Sequence, residues 1–320
     1  MRSAKFFPGI DPCPLPPAPC PLTSGGGEFR PGFRAVGAAN IRHCGVLQGM
    51  AVFPCRECEK KGFEKHEPAE GGRFRRCTGD LLATFEKRLR ELCENHCPGT
   101  GQERAGIIRS QTEHALALAL ELGLLRDAEV SWEEFRIQCA DSVIGTEHMV
   151  ELDAGTGLVG KTTIPPAFGL VPEVRSHAIA VLASDSEVPH MGDAIEFLPA
   201  TPLEYLARWQ ACNEVFGDDV RLVSVIRWAD GEISLGITQP QYHGVPAEPR
   251  EIEAFFTEAG WTRLKDPSGH TVFFNYAFGV MAIDAERRNC YINDGGLQPF
   301  DVILCKPDER MERFLRIYPD

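Results

Sequence analysis

Three polar residues, Asp284, Asn289 and Asp301, combine types and spacing that suit cation-assisted chemistry. They lie in VMAIDAERRNCYINDGGLQPFDVIL, where CYIND and LQPFD flank Gly295-Gly296 and predict a tight hairpin. A hairpin brings its outer ends together, so Asn289 and Asp301 are expected to meet although they are twelve positions apart. Two hard oxygen donors converging in this way suit Mg²⁺, which keeps substrate phosphates among its remaining ligands. Asp284, on the adjoining loop, is placed to orient or deprotonate a hydroxyl nucleophile. The competing reading makes Asp284 and Asn289 surface-turn residues. Asp301 resists it, because FDVIL surrounds the carboxylate with apolar neighbours and a lone buried charge is costly.

The elements that must position these residues begin near Phe135. FRIQCAD, TEHMVELD and LVGKTTI predict a three-stranded meander with turns at SVIG and DAGTG. A Pro-rich connection, IPPAFGLVPE, leads into sequence without clear period up to Pro199. TPLEYLARWQACNEVFG predicts a helix, with Thr201 as N-cap, Pro202 at its first position and Gly217 at its stop. VRLVSVIRW and EISLGITQ follow as strands joined by Ala229-Asp230-Gly231, and PREIEAFFTEAG reads as another helix. Short strands end the region, with WTRL expected to pair with TVFFNY and VMAID with CYIND. This order predicts an α+β arrangement. Neither DAGTG nor NDGG opens a helix, so neither is a dinucleotide-binding or P-loop signature.

The Asp-x4-Asn spacing, followed by an Asp on the second hairpin strand, resembles the catalytic loop and metal-binding Asp of protein kinases and of aminoglycoside and choline kinases. The wider stretch from GTEHMVELDAGTGLVGKTT through NEVFGDDVRLVSVI and TQPQYHG is similar to the kinase-like domains of polyvalent proteins, found in phages and mobile genetic elements. The resemblance spans roughly 130–305. It implies a protein-kinase-like fold, with an antiparallel N-lobe sheet, one packed helix and a reduced C-lobe. It implies ATP and Mg²⁺ as cofactors and an unidentified hydroxyl acceptor, protein or small molecule. Asp284 then resembles the catalytic-loop Asp, with Asn289 and Asp301 as metal ligands. Lys161 resembles the lysine that holds the nucleotide phosphates, and Glu204 the glutamate that pairs with that lysine, with Glu214 as a competitor. Gly145, in Ser142-Val143-Ile144-Gly145, takes the place of the phosphate-covering loop, and Gln239-Pro240-Gln241 that of the hinge meeting the adenine. The chain departs from the pattern in having Ala282 two positions before Asp284 and Val302-Ile303 after Asp301.

The rest of the chain reads differently. Residues 1–50 are rich in Pro and Gly, without apolar period, and read as disordered. Residues 51–129 form a Cys-containing helical segment, and 130–320 the kinase-like domain. Within the middle segment, LLATFEKRLRELCENH sets Leu81, Phe85, Leu89 and Leu92 on one helical face, and ERAGIIRSQTEHALALALELGLL does the same with Ala115, Ala119 and Leu122. Eight of the twelve cysteines precede Pro98. Cys55-x2-Cys58 with Cys93-x3-Cys97, supplemented by Cys77, His66 and His96, has the spacing of paired zinc knuckles, the alternative being free thiols. His148 and His270 read as structural or solvent-facing. A net charge of −13 argues against broad attraction to nucleic acid or anionic lipid. No run approaches a membrane span and no secretory leader is visible, which points to the cytoplasm.

Overall fold

Elements along the chain

The computed structural model describes residues 81–95, 103–138, 143–153, 155–179 and 190–317. The Pro/Gly-rich 1–50, Cys55, Cys58, Cys77 and Cys97, and His66 and His96 lie outside the described residues, as does Ser142. Two helices come first, α1 (Leu81–Asn95) and α2 (Arg104–Leu122), then strand β1 (Leu125–Asp127) and helix α3 (Trp132–Gln138). Strands β2 (Val143–Ile144), β3 (His148–Asp153) and β4 (Leu158–Thr163) precede a long hairpin of β5 (Leu170–Ile179) and β6 (His190–Pro199). Helix α4 (Pro202–Phe216) leads to β7 (Arg221–Arg227), β8 (Ile233–Pro240) and β9 (Val245–Pro246), and then to α5 (Pro249–Glu258). The last elements are β10 (Thr262–Lys265), β11 (Thr271–Asn275), β12 (Val280–Ile283), β13 (Cys290–Asn293), β14 (Gly296–Pro299), β15 (Ile303–Cys305) and α6 (Glu309–Leu315).

Helix α4 forms where its caps direct it. The Thr201 side chain accepts from the Glu204 N–H, Glu204 accepts from the Thr201 N–H, Pro202 opens the first turn, and Gly217 ends it at φ 71°. The expected strand over FRIQCAD is instead largely helix α3. Ser131 and Glu134 exchange capping hydrogen bonds at 3.0 and 3.2 Å, which starts the helix before Phe135. Trp132 and Phe135, three apart, then pack against Trp228, with centroids 5.3 and 4.8 Å away.

Sheets and core

The architecture is α+β, built mainly from antiparallel sheets. The largest runs β1-β7-β8-β4-β3-β2, with only β1 and β7 parallel. Four helices, α1, α2, α4 and α5, rather than the single one expected, contribute to its core, α5 through Ile252 and Phe256. Leu82, Phe85 and Leu89 of α1 and Ala115, Leu118 and Ala119 of α2 join Tyr205, Leu206 and Trp209 of α4 over Leu222, Leu235 and Ile237. The residues on either side of the expected 129/130 division therefore contribute to one core, and β1 belongs to the main sheet. Among the described residues, no helix is long and apolar enough to cross a membrane.

A second sheet, β10-β11-β12-β15, lies between two cores, one on each face. Phe273, Ala282 and Leu304, which pair across its strands, face the helical core, whereas Val272, Ile283 and Ile303 face a second one with Met311 and Leu315 of α6. WTRL pairs with TVFFNY as expected. VMAI does not pair with CYIN: β12 lies between β11 and β15, and β13 between β14 and β9. The stretch before Pro199, read as aperiodic, is the β5/β6 hairpin.

Candidate functional site

A buried four-charge cluster

Strand β4 alternates, so Val159, Lys161 and Thr163 point to the helix-bearing face of the main sheet. A lysine there has no route to water and needs a counter-charge. Asp301 provides it: Lys161 Nζ donates to Asp301 Oδ1 at 3.1 Å. Lys161 is 5 % exposed while the Asp301 side chain keeps 32 %, so the cation is sealed and the carboxylate remains open on one side.

A second cation completes the cluster. Arg208, buried on α4, donates to Glu147 Oε2 at 2.7 Å, to Asp301 Oδ1 at 3.3 Å and to the Asp301 carbonyl at 3.2 Å. Trp209 lies beneath both cations, its ring centroid 4.9 Å from Lys161 Nζ and 4.8 Å from the Arg208 guanidinium carbon. Glu147 Oε2 also accepts from the Leu170 N–H at 2.7 Å. Gly169 is required at this junction: its φ is 86°, and a Cβ would fall 2.6 Å from that same oxygen. Two positive and two negative groups thus balance inside the fold.

Burial alone would raise the Asp301 carboxyl, but Lys161 and then Arg208 outweigh it and hold the group below its ordinary value. His148, whose Nε2 shares a 3.0 Å hydrogen bond with Tyr205 Oη, is pushed down to about 3 by burial and by Lys161. It is a neutral ring at any physiological pH.

A strained loop beside it

Asp284 follows the last residue of β12, and Ile283 pairs with Ile303 just beyond Asp301. Its φ of 62° is unusual for a residue with a side chain and costs about 1 kcal/mol. Asn289 Nδ2 donates to both the carbonyl and Oδ2 of Asp284 at 2.8 Å, and Arg288 contacts Oδ1 at 2.5 Å. Burial raises the Asp284 carboxyl, against the opposing influence of Arg288 and Asn289. The loop is tied to the hairpin by Phe300 N–H donating to the Asn289 carbonyl at 3.0 Å, one residue from Asp301. Hairpin register continues this link, since Cys290 pairs with Pro299.

Asn289 thus holds Asp284, the Phe300–Asn289 hydrogen bond sets this loop against the residue before Asp301, and Lys161 lies on Asp301. Gln239 lies on the same sheet face as Lys161: Lys161 pairs with Ile237, and Gln239 is two residues further on. Gly145 sits in the exposed turn before β3, its N–H donating to the His148 carbonyl at 2.8 Å. Glu204 does not reach Lys161. Its carboxylate is committed to the cap of α4 and to Arg104 at 3.2 Å, which is how an acidic first-turn residue satisfies itself. Glu214 accepts from Gln210 at 2.9 Å on an exposed surface.

Sequence reasoning missed Arg208 and Glu147. The available signal was Arg208 within the buried face Tyr205, Leu206, Trp209 and Cys212, where an arginine must find an acid. Two further polar groups border the site. Tyr242 Oη donates to Asp218 Oδ1 at 2.5 Å, and the Tyr242 ring stacks on Phe300 with centroids 5.9 Å apart.

Among the described residues, no group of three or more His, Cys, Asp or Glu side chains is arranged to hold a metal. The donor chemistry nevertheless fits a Mg²⁺ that shares its ligands with a bound phosphate. Asp301 meets Lys161 and Arg208 through Oδ1, and Asn289 uses Nδ2, which leaves one oxygen on each for a cation. No protein-family profile, curated protein or solved structure matches the chain.

Proposed function

We propose that this chain is an ATP- and Mg²⁺-dependent phosphotransferase with a kinase-like fold, of the type found in polyvalent proteins of phages and mobile elements. It would transfer the γ-phosphoryl group to a hydroxyl on a protein or small molecule. The observation that carries the reading is the Lys161–Asp301 pair, buried at the lysine and open at the carboxylate, with the Asp284–Asn289 loop joined to the residue before Asp301 by the Phe300–Asn289 hydrogen bond.

In this reading a nucleotide phosphate entering at the open side of Asp301 uncovers Lys161, which would then give it a second N–H donor. Arg208 and Glu147 keep Asp301 in place. Asn289 Oδ1 and Asp301 Oδ2 are the atoms that would hold Mg²⁺, which neutralises phosphate charge when bound. The acceptor oxygen bonds to the γ-phosphorus as the bond from that phosphorus to the β–γ bridging oxygen breaks. ADP leaves, and the hydroxyl proton passes to the Asp284 carboxylate. Alignment and charge neutralisation supply most of the rate in such a site.

A specific feature favours a second reading, a nucleotide-binding module without transfer. Both Asp284 oxygens are engaged, one by Arg288 and the other by Asn289. Transfer requires the exposed Arg288 to swing away as the acceptor arrives. Incubation with γ-labelled ATP and Mg²⁺ separates the two. Label moving to the protein or to an added hydroxyl compound, and lost in Asp284→Asn, supports transfer. ATP binding with no label transfer leaves the binding module, whereas equal transfer by Asp284→Asn removes Asp284 from the chemistry.

A further inference from the structure

Asp284 is held from two sides by different means. From within, the buried Asn289 amide donates to its carbonyl and to Oδ2 at 2.8 Å. From without, Arg288 donates to Oδ1 at 2.5 Å, and the arginine side chain is 67 % exposed against 22 % for the aspartate. The guanidinium thus lies as a cover over the outer face of the carboxylate. A hydroxyl cannot reach Oδ1 until that cover moves.

The loop does not depend on the cover for its shape. Glu286 N–H donates to the Asp284 carbonyl at 2.9 Å and Asn289 N–H to the Glu286 carbonyl at 2.8 Å, while the two Asn289 amide bonds secure the residue at φ 62°. Arg288 adds an exposed ion pair, with Glu286 as a looser second partner at 3.4 Å. Pairs of this kind are exchanged at little cost, because water screens them. The neighbouring Arg287 is turned elsewhere, to Glu248 at 3.0 Å.

Resting on the phosphotransferase reading, we infer that the acceptor carries an anionic group, carboxylate or phosphate, close to the hydroxyl that receives the phosphoryl group, and that Arg288 leaves Asp284 to bind it. A guanidinium can trade one carboxylate for another anion in the same fork geometry. The trade therefore costs the site little and admits the hydroxyl to Asp284 in the same movement. A neutral acceptor offers the guanidinium nothing in exchange and meets a covered carboxylate. The net charge of −13 sharpens the requirement, since an anionic compound approaching this chain needs a local cation.

The test is steady-state transfer from γ-labelled ATP, with Mg²⁺, to paired acceptors that differ in the anionic group alone. One pair is glycerol and glycerol 3-phosphate; the other is a serine peptide flanked by alanines and the same peptide flanked by glutamates. Wild type, Arg288→Gln and Arg288→Lys are compared, with release of labelled phosphate to water as a further neutral acceptor. Wild type should use the anionic member of at least one pair with kcat/KM about tenfold higher, in line with one charge-assisted hydrogen bond. The pair that shows it tells a small molecule from a protein segment. Added salt should narrow the gap. Arg288→Gln should close it from both sides: KM for the anionic member rises, and transfer to the neutral member and to water increases a few-fold because Asp284 is uncovered. Arg288→Lys should keep part of the preference. An arginine that only decorates the surface would leave both members of each pair as they are in wild type. Wild-type transfer without preference for the anionic member, or a preference undiminished in Arg288→Gln, overturns this inference alone. Absence of transfer to every acceptor, water included, overturns it together with the phosphotransferase reading.

Discussion

The two halves of the site are held by different forces. The cluster of Lys161, Arg208, Glu147 and Asp301 draws its residues from β4, α4, the turn before β3 and the segment before β15, and it persists because buried opposite charges must meet. The loop from Asp284 to Asn289 is local. Its shape comes from hydrogen bonds between residues five apart or fewer, around one strained residue at φ 62°. The first half cannot lose a member without leaving a charge in a poor solvent. The second can exchange partners at little cost to the fold. A rigid electrostatic anchor beside a locally strained, half-open loop is the division of labour expected where a bound group is fixed and a second one reacts.

The comparison breaks most visibly at Arg208. Arg208→Leu leaves Glu147 with a single backbone donor and Asp301 with Lys161 alone. Loss of one partner of a buried pair costs about 3–5 kcal/mol, which for a unit of this size lowers Tm on the order of 10 °C. Calorimetric melting checks it. A Tm within about two degrees of wild type would show that the cluster is not a structural anchor.

Asp284→Asn should behave in the opposite way. Asparagine tolerates the left-handed conformation, and the change removes a carboxyl whose ionised form burial disfavours, so Tm should hold or rise slightly. Transfer should fall about 10²–10⁴-fold, the usual worth of a positioned proton acceptor. A large loss of Tm in this variant would erase the distinction between the two regions.

The smallest effect concerns Asp218, whose carboxyl burial pushes up from 3.8 to about 6. A raised carboxyl means that the protonated form favours the fold. That contribution is complete below the unfolded value and is lost as pH rises through about 6. Asp218→Asn keeps an acceptor for Tyr242 without the titration. It should melt a few degrees above wild type near pH 7.5, the gap closing by about pH 4. A gap independent of pH would assign the effect to packing.

How much of this was legible follows from how local each determinant is. Thr201, Pro202 and Gly217 announced α4 because caps act within one turn. The CYIND-GG-LQPFD hairpin was readable for the same reason, and with it the closure that pairs Cys290 with Pro299 and joins Phe300 to Asn289. Helix α3 was misread because Ser131 and Glu134, the pair that starts it, precede the segment whose alternation suggested a strand. The partners of β12 were misassigned because β15 is joined to it only after an intervening hairpin. The error at Glu204 is the most instructive. Its order in the chain suggested a partner for Lys161, yet position within the first turn of α4 gave it to the cap and to Arg104. Arg208, one helical turn later and on the buried face, is the residue that closes the cluster.

Calorimetric titration of ATP into the wild type and Asp301→Ala, with Mg²⁺ and with a chelator in its place, bears most directly on the central assertion that Lys161 and Asp301 form a nucleotide-phosphate and cation site. Wild type should bind ATP and bind it more tightly when Mg²⁺ is present, while folded Asp301→Ala should gain nothing from the cation. Absence of ATP binding by wild type, or an equal gain from Mg²⁺ in Asp301→Ala, would contradict it.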